Sequence, residues 1–122
     1  MSAAAREEYV ARVNRVMDYV ESNLRAPLTL TELASVACFS PVHFHRIFRA
    51  MAGETLNRFV RRVRIERAAT LLAADPNKPI TAVAIECGFS NSASFARAFR
   101  EAFGVSASQW RLGESSRPRE AL

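Results

Sequence analysis

Two arginines, Arg46 and Arg97, stand at matching places in two copies of one pattern within a 122-residue chain. A guanidinium is planar, permanently charged and carries its donors as a rigid fork. It suits acceptors presented in pairs, such as phosphate oxygens or the O6 and N7 of guanine. Arg49 and Arg100 repeat the correspondence one helical turn further on. Between positions 46 and 67 lie Arg46, Arg49, Arg58, Arg61, Arg62, Arg64 and Arg67, opposed only by Glu54 and Glu66. The formal net charge is +5 and the pI about 10.2, which suits a polyanionic partner. All but one of the 17 basic residues are arginine, a composition that favours bidentate contacts.

Other chemistries are poorly served. His43 and His45 lie near Cys38, but two positions apart on a helix they point in different directions, and no third ligand is well placed. No metal or other cofactor is expected. Cys38 and Cys87 lie one in each turn and read as small packing residues, too few and too distant for a disulfide framework. The phenylalanines at 39, 44, 48, 59, 89, 95, 99 and 103 fall at core spacing. No glycine-rich phosphate loop, paired inward carboxylates or nucleophile with a positioned base is present, so enzymatic activity is not expected. No apolar run approaches a membrane span or a signal-peptide core, and the expectation is a cytoplasmic, nucleoid-associated protein.

The elements that must position these arginines are all helical. Residues 1–5 lack a packing pattern and are expected to fray. From Arg6 to Leu24, Tyr9, Val10, Val13, Val16, Met17, Val20 and Leu24 recur at helical spacing. Pro27 ends that helix. Thr29 and Glu32 match a capping box, so a short helix should start near Leu30 and bury Leu33, Ala34 and Val36. Phe39 closes a tight turn. Ser40 then caps a helix with Pro41 at its first position, running to about Ala52 and burying Phe44, Ile47, Phe48 and Met51. A long helix follows Thr55 and stops before Asp75 and Pro76. Leu56, Phe59, Val60 and Val63 form an apolar face in its first half, and Ile65, Ala68, Ala69 and Leu72 a roughly opposite face in its second. Such a helix is a spine carrying one small unit on each end.

Beyond the spine the first unit returns. Ile80, Val83, Ala84, Phe89 and Ser90 echo Leu30, Leu33, Ala34, Phe39 and Ser40 at an offset of 50. One residue is then inserted, and Phe95, Arg97, Phe99, Arg100 and Gly104 echo Phe44, Arg46, Phe48, Arg49 and Gly53 at 51. Trp110 answers Phe59 and anchors a last short helix capped by Ser106. The expected organisation is a helix-turn-helix unit over 6–54, a linking helix over 55–74, a second helix-turn-helix unit over 75–112 and a disordered polar tail over 113–122. Each second helix would stand proud of its unit, able to enter a groove about 12 Å wide. With Phe44, Ile47 and Phe48 inward, Val42, His43, His45, Arg46 and Arg49 face out. With Phe95, Ala98 and Phe99 inward, Ser92, Ala93, Ser94, Ala96, Arg97 and Arg100 do so. Arg46 and Arg97 could read guanine or only touch phosphate. For Arg49 and Arg100, a turn further from the tip, phosphate is favoured. The helix N-termini at Ser40 and Asn91 offer amides to phosphate.

Here the sequence resembles the DNA-binding domain of the AraC/XylS transcription regulators, over about Val16 to Arg111. The segment from Pro27 to Leu72 and the more specific GFSNSASFARAFREAFGVSASQWR occur in the family's order and separation. The resemblance implies an all-α fold of about seven helices, two homeodomain-like helix-turn-helix subdomains on a linking helix, and recognition helices entering successive major grooves. Carried over by position, base contacts come from Val42, His45 and Arg46 in the first unit and Ser92, Ala93, Ser94 and Arg97 in the second. Phosphate contacts are expected from Ser40, His43, Arg49, Arg58, Arg61, Arg62, Asn91 and Arg100. The stand-alone activators of the family are similar in size and bind as monomers. The implied partners are therefore double-stranded DNA, at an asymmetric site of about 20 base pairs, and RNA polymerase. Val42 is small where those activators have a large aromatic, short side chains replace longer polar ones in the second unit, and Cys38 stands where the second unit has Gly88. Most members also carry an effector-binding or dimerising domain, which these residues do not include. Two other classes remain open: a protein-interaction module using the same exposed helices on an acidic partner, and a non-specific architectural DNA binder.

Overall fold

The computed structural model describes residues 2–113 and contains seven helices among them. In order these are α1 (Ala3–Ser22), α2 (Leu30–Val36), α3 (Pro41–Ala52), α4 (Leu56–Ala74), α5 (Ile80–Glu86), α6 (Ser92–Phe103) and α7 (Ala107–Arg111). Among the described residues no strand occurs, and no helix is long and apolar enough to cross a membrane. The expected disordered tail lies, but for Gly113, outside the described residues.

The chain divides into two compact units between Val63 and Arg64, halfway along α4. That division falls where the apolar face of α4 changes sides. Leu56, Phe59 and Val60 are buried with Val13, Val16, Val20, Leu33, Phe44 and Phe48 in the first core, and Val63 packs against it half-buried. Ile65, Ala68, Ala69 and Leu72 are buried with Val83, Phe95, Phe99 and Phe103 in the second. Each core is therefore closed by one half of the same helix, and among the described residues neither unit buries a polar or charged side chain.

Three expectations are corrected. Helix α1 begins at Ala3, not Arg6, because Ser2 serves as its N-cap: the Ser2 hydroxyl oxygen accepts from the Ala5 amide at 3.1 Å. Val10, counted on the apolar face of α1, is 42% exposed; Val13, Val16 and Val20 carry that face. The capping box at α2 is only half made. Thr29 Oγ1 accepts from the Glu32 amide at 3.2 Å, but the Glu32 carboxylate takes the Tyr19 hydroxyl instead, at 2.7 Å. That bond raises the Tyr19 pKa, since it stabilises the protonated phenol beside a carboxylate. A complete capping box is formed at α7 by Ser106 and Gln109.

The short α7 is fixed on the end of α4. The Trp110 indole N–H donates to the Ala69 carbonyl at 3.0 Å, and Arg111 donates to the carbonyls of Leu72 and Asp75, each at 3.3 Å. A guanidinium on the last carbonyls of a helix satisfies acceptors that have no intrahelical partner and complements the negative end of the dipole.

Candidate nucleic-acid interface

Both units build their turn in the same way. Helix α2 ends with Cys38 N–H on the Ser35 carbonyl and Phe39 N–H on the Ala34 carbonyl, each at 3.0 Å. Helix α5 ends with Gly88 N–H on Ile85 and Phe89 N–H on Ala84, again each at 3.0 Å. This paired closure needs a left-handed residue at the position after the cap. Gly88 supplies it at φ 97; Cys38 is forced into it at φ 61. After the turn, Ser40 Oγ accepts from the His43 amide at 3.4 Å to cap α3, and Asn91 Oδ1 accepts from the Ser94 amide at 2.8 Å to cap α6. The one-residue insertion in the second copy is therefore absorbed between turn and cap, leaving α3 and α6 in register.

The inward faces are aromatic. Phe44 and Phe48 are buried with ring centroids 5.8 Å apart, and Phe48 meets Phe59 of α4 at 5.5 Å. In the second unit Phe95, Phe99, Phe103 and Trp110 form a continuous stack of contacts with successive separations of 5.7, 4.8 and 4.6 Å. With these faces buried, the opposite faces of α3 and α6 can only be wet. Val42, His43, His45, Arg46 and Arg49 are exposed on α3, and Ser92, Ala93, Arg97 and Arg100 on α6. Val42, at 71% exposure, is an apolar side chain in the first turn of α3 with nothing of its own unit to cover it.

Beyond the capping residues Ser40 and Asn91, the candidates Ser94, His43 and Arg62 are also engaged within the protein. Ser94 is half-buried, and its hydroxyl donates to Asn91, with Oδ1 at 3.1 Å and the carbonyl oxygen at 3.3 Å, so it completes the cap of α6. The His43 ring lies 5.1 Å from Phe39 and 6.0 Å from Tyr9, edge-on to both. Arg62 reaches Glu54 Oε2 at 2.6 Å and spreads over the Phe59 ring at 5.5 Å. Arg58 has an 81% exposed side chain and only a long contact to Glu54, at 3.9 Å. Across the α3–α4 junction Arg49 and Arg58 line one open hollow with Gly53, Glu54 and Thr55. Thr55 Oγ1 accepts from the Arg58 amide at 3.2 Å and caps α4. Arg61 is exposed on the same helix, while Arg64 at the division between units is half-buried, and desolvation lowers its pKa.

Sequence reasoning missed the α1 side chains that touch the first turn. Arg12 Nη1 donates to the Cys38 carbonyl at 3.5 Å, its guanidinium lies 4.7 Å from the Phe39 ring centre, and Glu8 holds it at 2.7 Å. The Glu8–Arg12 spacing of four residues was visible; the tertiary contact was not. Cys87 is fully buried, which pushes its thiol up to about 11, whereas Cys38 is exposed. Among the described residues, no group of three His, Cys, Asp or Glu side chains could hold a metal ion.

The comparisons agree with this architecture. A family model described as a helix-turn-helix domain matches residues 33–113. The probable transcriptional regulator LumQ of Photobacterium leiognathi is 36% identical over 108 residues, which are 87% of this chain and 43% of LumQ. The bifunctional transcriptional activator/DNA repair enzyme AdaA of Bacillus subtilis is 32% identical over 81% of this chain and 46% of its own length. The chain thus spans less than half of either relative. The HTH-type transcriptional activator AarP of Providencia stuartii is 30% identical over 84% of this chain and 76% of AarP. Among solved structures, the DNA-binding domain of the global transcriptional factor AdpA, in complex with a target DNA, superposes with a TM-score of 0.77 at 25% identity, covering 83% of this chain and 90% of that one. The chain belongs to the AraC-type family of helix-turn-helix DNA-binding domains.

Proposed function

We propose that this chain is a sequence-specific DNA-binding transcription regulator, acting as an activator, whose helices α3 and α6 enter successive major grooves of one asymmetric site of about 20 base pairs. The observation that carries this reading is the duplicated presentation of arginine. Arg46 and Arg97 are both exposed, each on a helix whose opposite face is a buried phenylalanine ladder. Each helix is fixed by a side-chain cap at its N-terminus. In this reading Arg46 and Arg97 read guanine. Val42 and His45 line the groove beside Arg46, and Ser92 and Ala93 line it beside Arg97, with Ser94 keeping the cap. Ser40, His43, Arg49, Arg58, Arg61, Arg62, Asn91 and Arg100 lie along the phosphates. One monomer binds the site, RNA polymerase is the protein partner, and the protein works at the nucleoid in the cytoplasm. The family membership, the AdpA complex with DNA and the name of AarP support this reading.

The test is paired loss of base preference. Arg46→Ala and Arg97→Ala should each remove discrimination at a different guanine, worth about 1–3 kcal/mol apiece, in titrations against duplexes substituted one base pair at a time. Equal weakening on every duplex would leave both arginines on phosphate and favour a non-specific architectural role.

A further inference from the structure

The two turns meet one backbone demand in different ways. Each needs a left-handed residue immediately before the aromatic that closes it. Gly88 takes that conformation without a steric penalty, but Cys38 brings a Cβ into it and resists. Side chains of α1 lie against the turn that holds the resisting residue. Arg12, itself held by Glu8, donates to the Cys38 carbonyl and covers the Phe39 ring. One turn earlier, Tyr9 stands edge-on to Phe39 at 5.1 Å and to His43 at 6.0 Å, and Phe39 meets His43 at 5.1 Å. The contacts therefore run unbroken from α1 through the turn to the first turn of α3, where Val42 and the approach to His45 and Arg46 are set.

We propose that Arg12 and Tyr9 form a clasp that holds Cys38 left-handed and so fixes the direction in which α3 leaves the turn, doing in the first unit what glycine does in the second. Both are positioning residues: they act on the exposed face of α3 through Cys38, Phe39 and His43. Their effect on DNA rests on the regulator reading; their effect on the turn does not.

The clasp makes two mutations dependent on each other. Site-resolved amide hydrogen exchange on the full chain without DNA is measured for the native protein, Arg12→Ala, Cys38→Gly and the double variant. Arg12→Ala should speed exchange of the Cys38 and Phe39 amides by about tenfold, the scale of a lost cation–π contact and a hydrogen bond. In the Cys38→Gly background the same change should speed them less than about threefold, because glycine needs no hold. Arg12→Lys keeps the charge and stem but not the planar fork, so it should follow Arg12→Ala, and it replaces that variant if the alanine form does not fold. Equal acceleration in both backgrounds, or none in either, overturns the clasp.

Titration against a duplex bound by the native chain supplies the second readout. Arg12→Ala should weaken binding by about tenfold with an unchanged salt slope, and Cys38→Gly should restore it to within about threefold. A slope reduced by about one would place Arg12 on phosphate and overturn its role as a positioning residue. Exchange that behaves as described in a native chain that binds no duplex upholds the clasp and defeats the regulator reading alone.

Discussion

Cys38 is one of two non-glycine residues in the first unit held left-handed, the other being the buried Leu28 at φ 53. The Cys38 side chain is exposed, so removing it forfeits no core packing, while its φ of 61 opposes the ordinary preference of an L residue. Cys38→Gly should therefore raise stability by about 1 kcal/mol, and Gly88→Ala should lower it by at least as much, both read from urea denaturation midpoints. Cys87 behaves oppositely because burial favours its neutral thiol. Its pKa rises from the ordinary 9.0 to about 11 on folding, so its contribution is fully present below pH 9 and lost as pH rises through 11. The native protein should lose more stability than Cys87→Ala between pH 8 and pH 11. A thiol reagent at pH 8 should label Cys38 promptly and Cys87 only in the unfolded chain.

At the scale of elements, α7 secures α4 by donating side-chain hydrogens to backbone carbonyls. Trp110→Phe keeps most of the ring contact with Phe99 and Phe103 but removes the donor to Ala69, and should cost about 1 kcal/mol. Trp110→Ala removes the anchor as well and should cost about 3–5 kcal/mol, measured by the same denaturation of the second unit. Most of the helices were legible in the sequence because each is marked by something local. Ser40, Thr55 and Ser106 signalled starts, and the phenylalanine spacing assigned the inward faces. The change of face along α4 was equally readable, since it needs only the helical period. What escaped depends on partners distant in sequence. Glu32 left its expected cap for Tyr19, thirteen residues away. Arg12 found Cys38 across twenty-six residues, and Arg111 found Leu72 across thirty-nine. The start of α1 was missed for another reason: Ser2 precedes three alanines and offers no apolar period to read. Within the candidate interface, the outward positions of Arg46 and Arg97 followed from the pattern. The turning of Ser94 and His43 toward their own unit did not, because side chains at exposed positions can still choose a partner at home.

For the whole molecule, the excess of positive charge should appear as a dependence of DNA affinity on salt. If five of the candidate phosphate residues are arginines in contact, the logarithm of the binding constant should fall with that of salt at a slope of about −4 to −5. Arg49→Ala should flatten it by about one, and a slope near zero would remove DNA as the partner of this surface. The central claim is narrower than charge: two repeated units read two separate blocks of one duplex. It is tested most directly by selecting bound sequences from a random DNA pool with this chain at about 150 mM salt, then titrating a winner and a scrambled duplex. The account predicts two preferred blocks about one helical turn apart, each with a guanine, and a scramble bound at least a hundredfold more weakly. A winner and a scramble bound alike would contradict it, leaving the duplicated helices as a fold without a reading function.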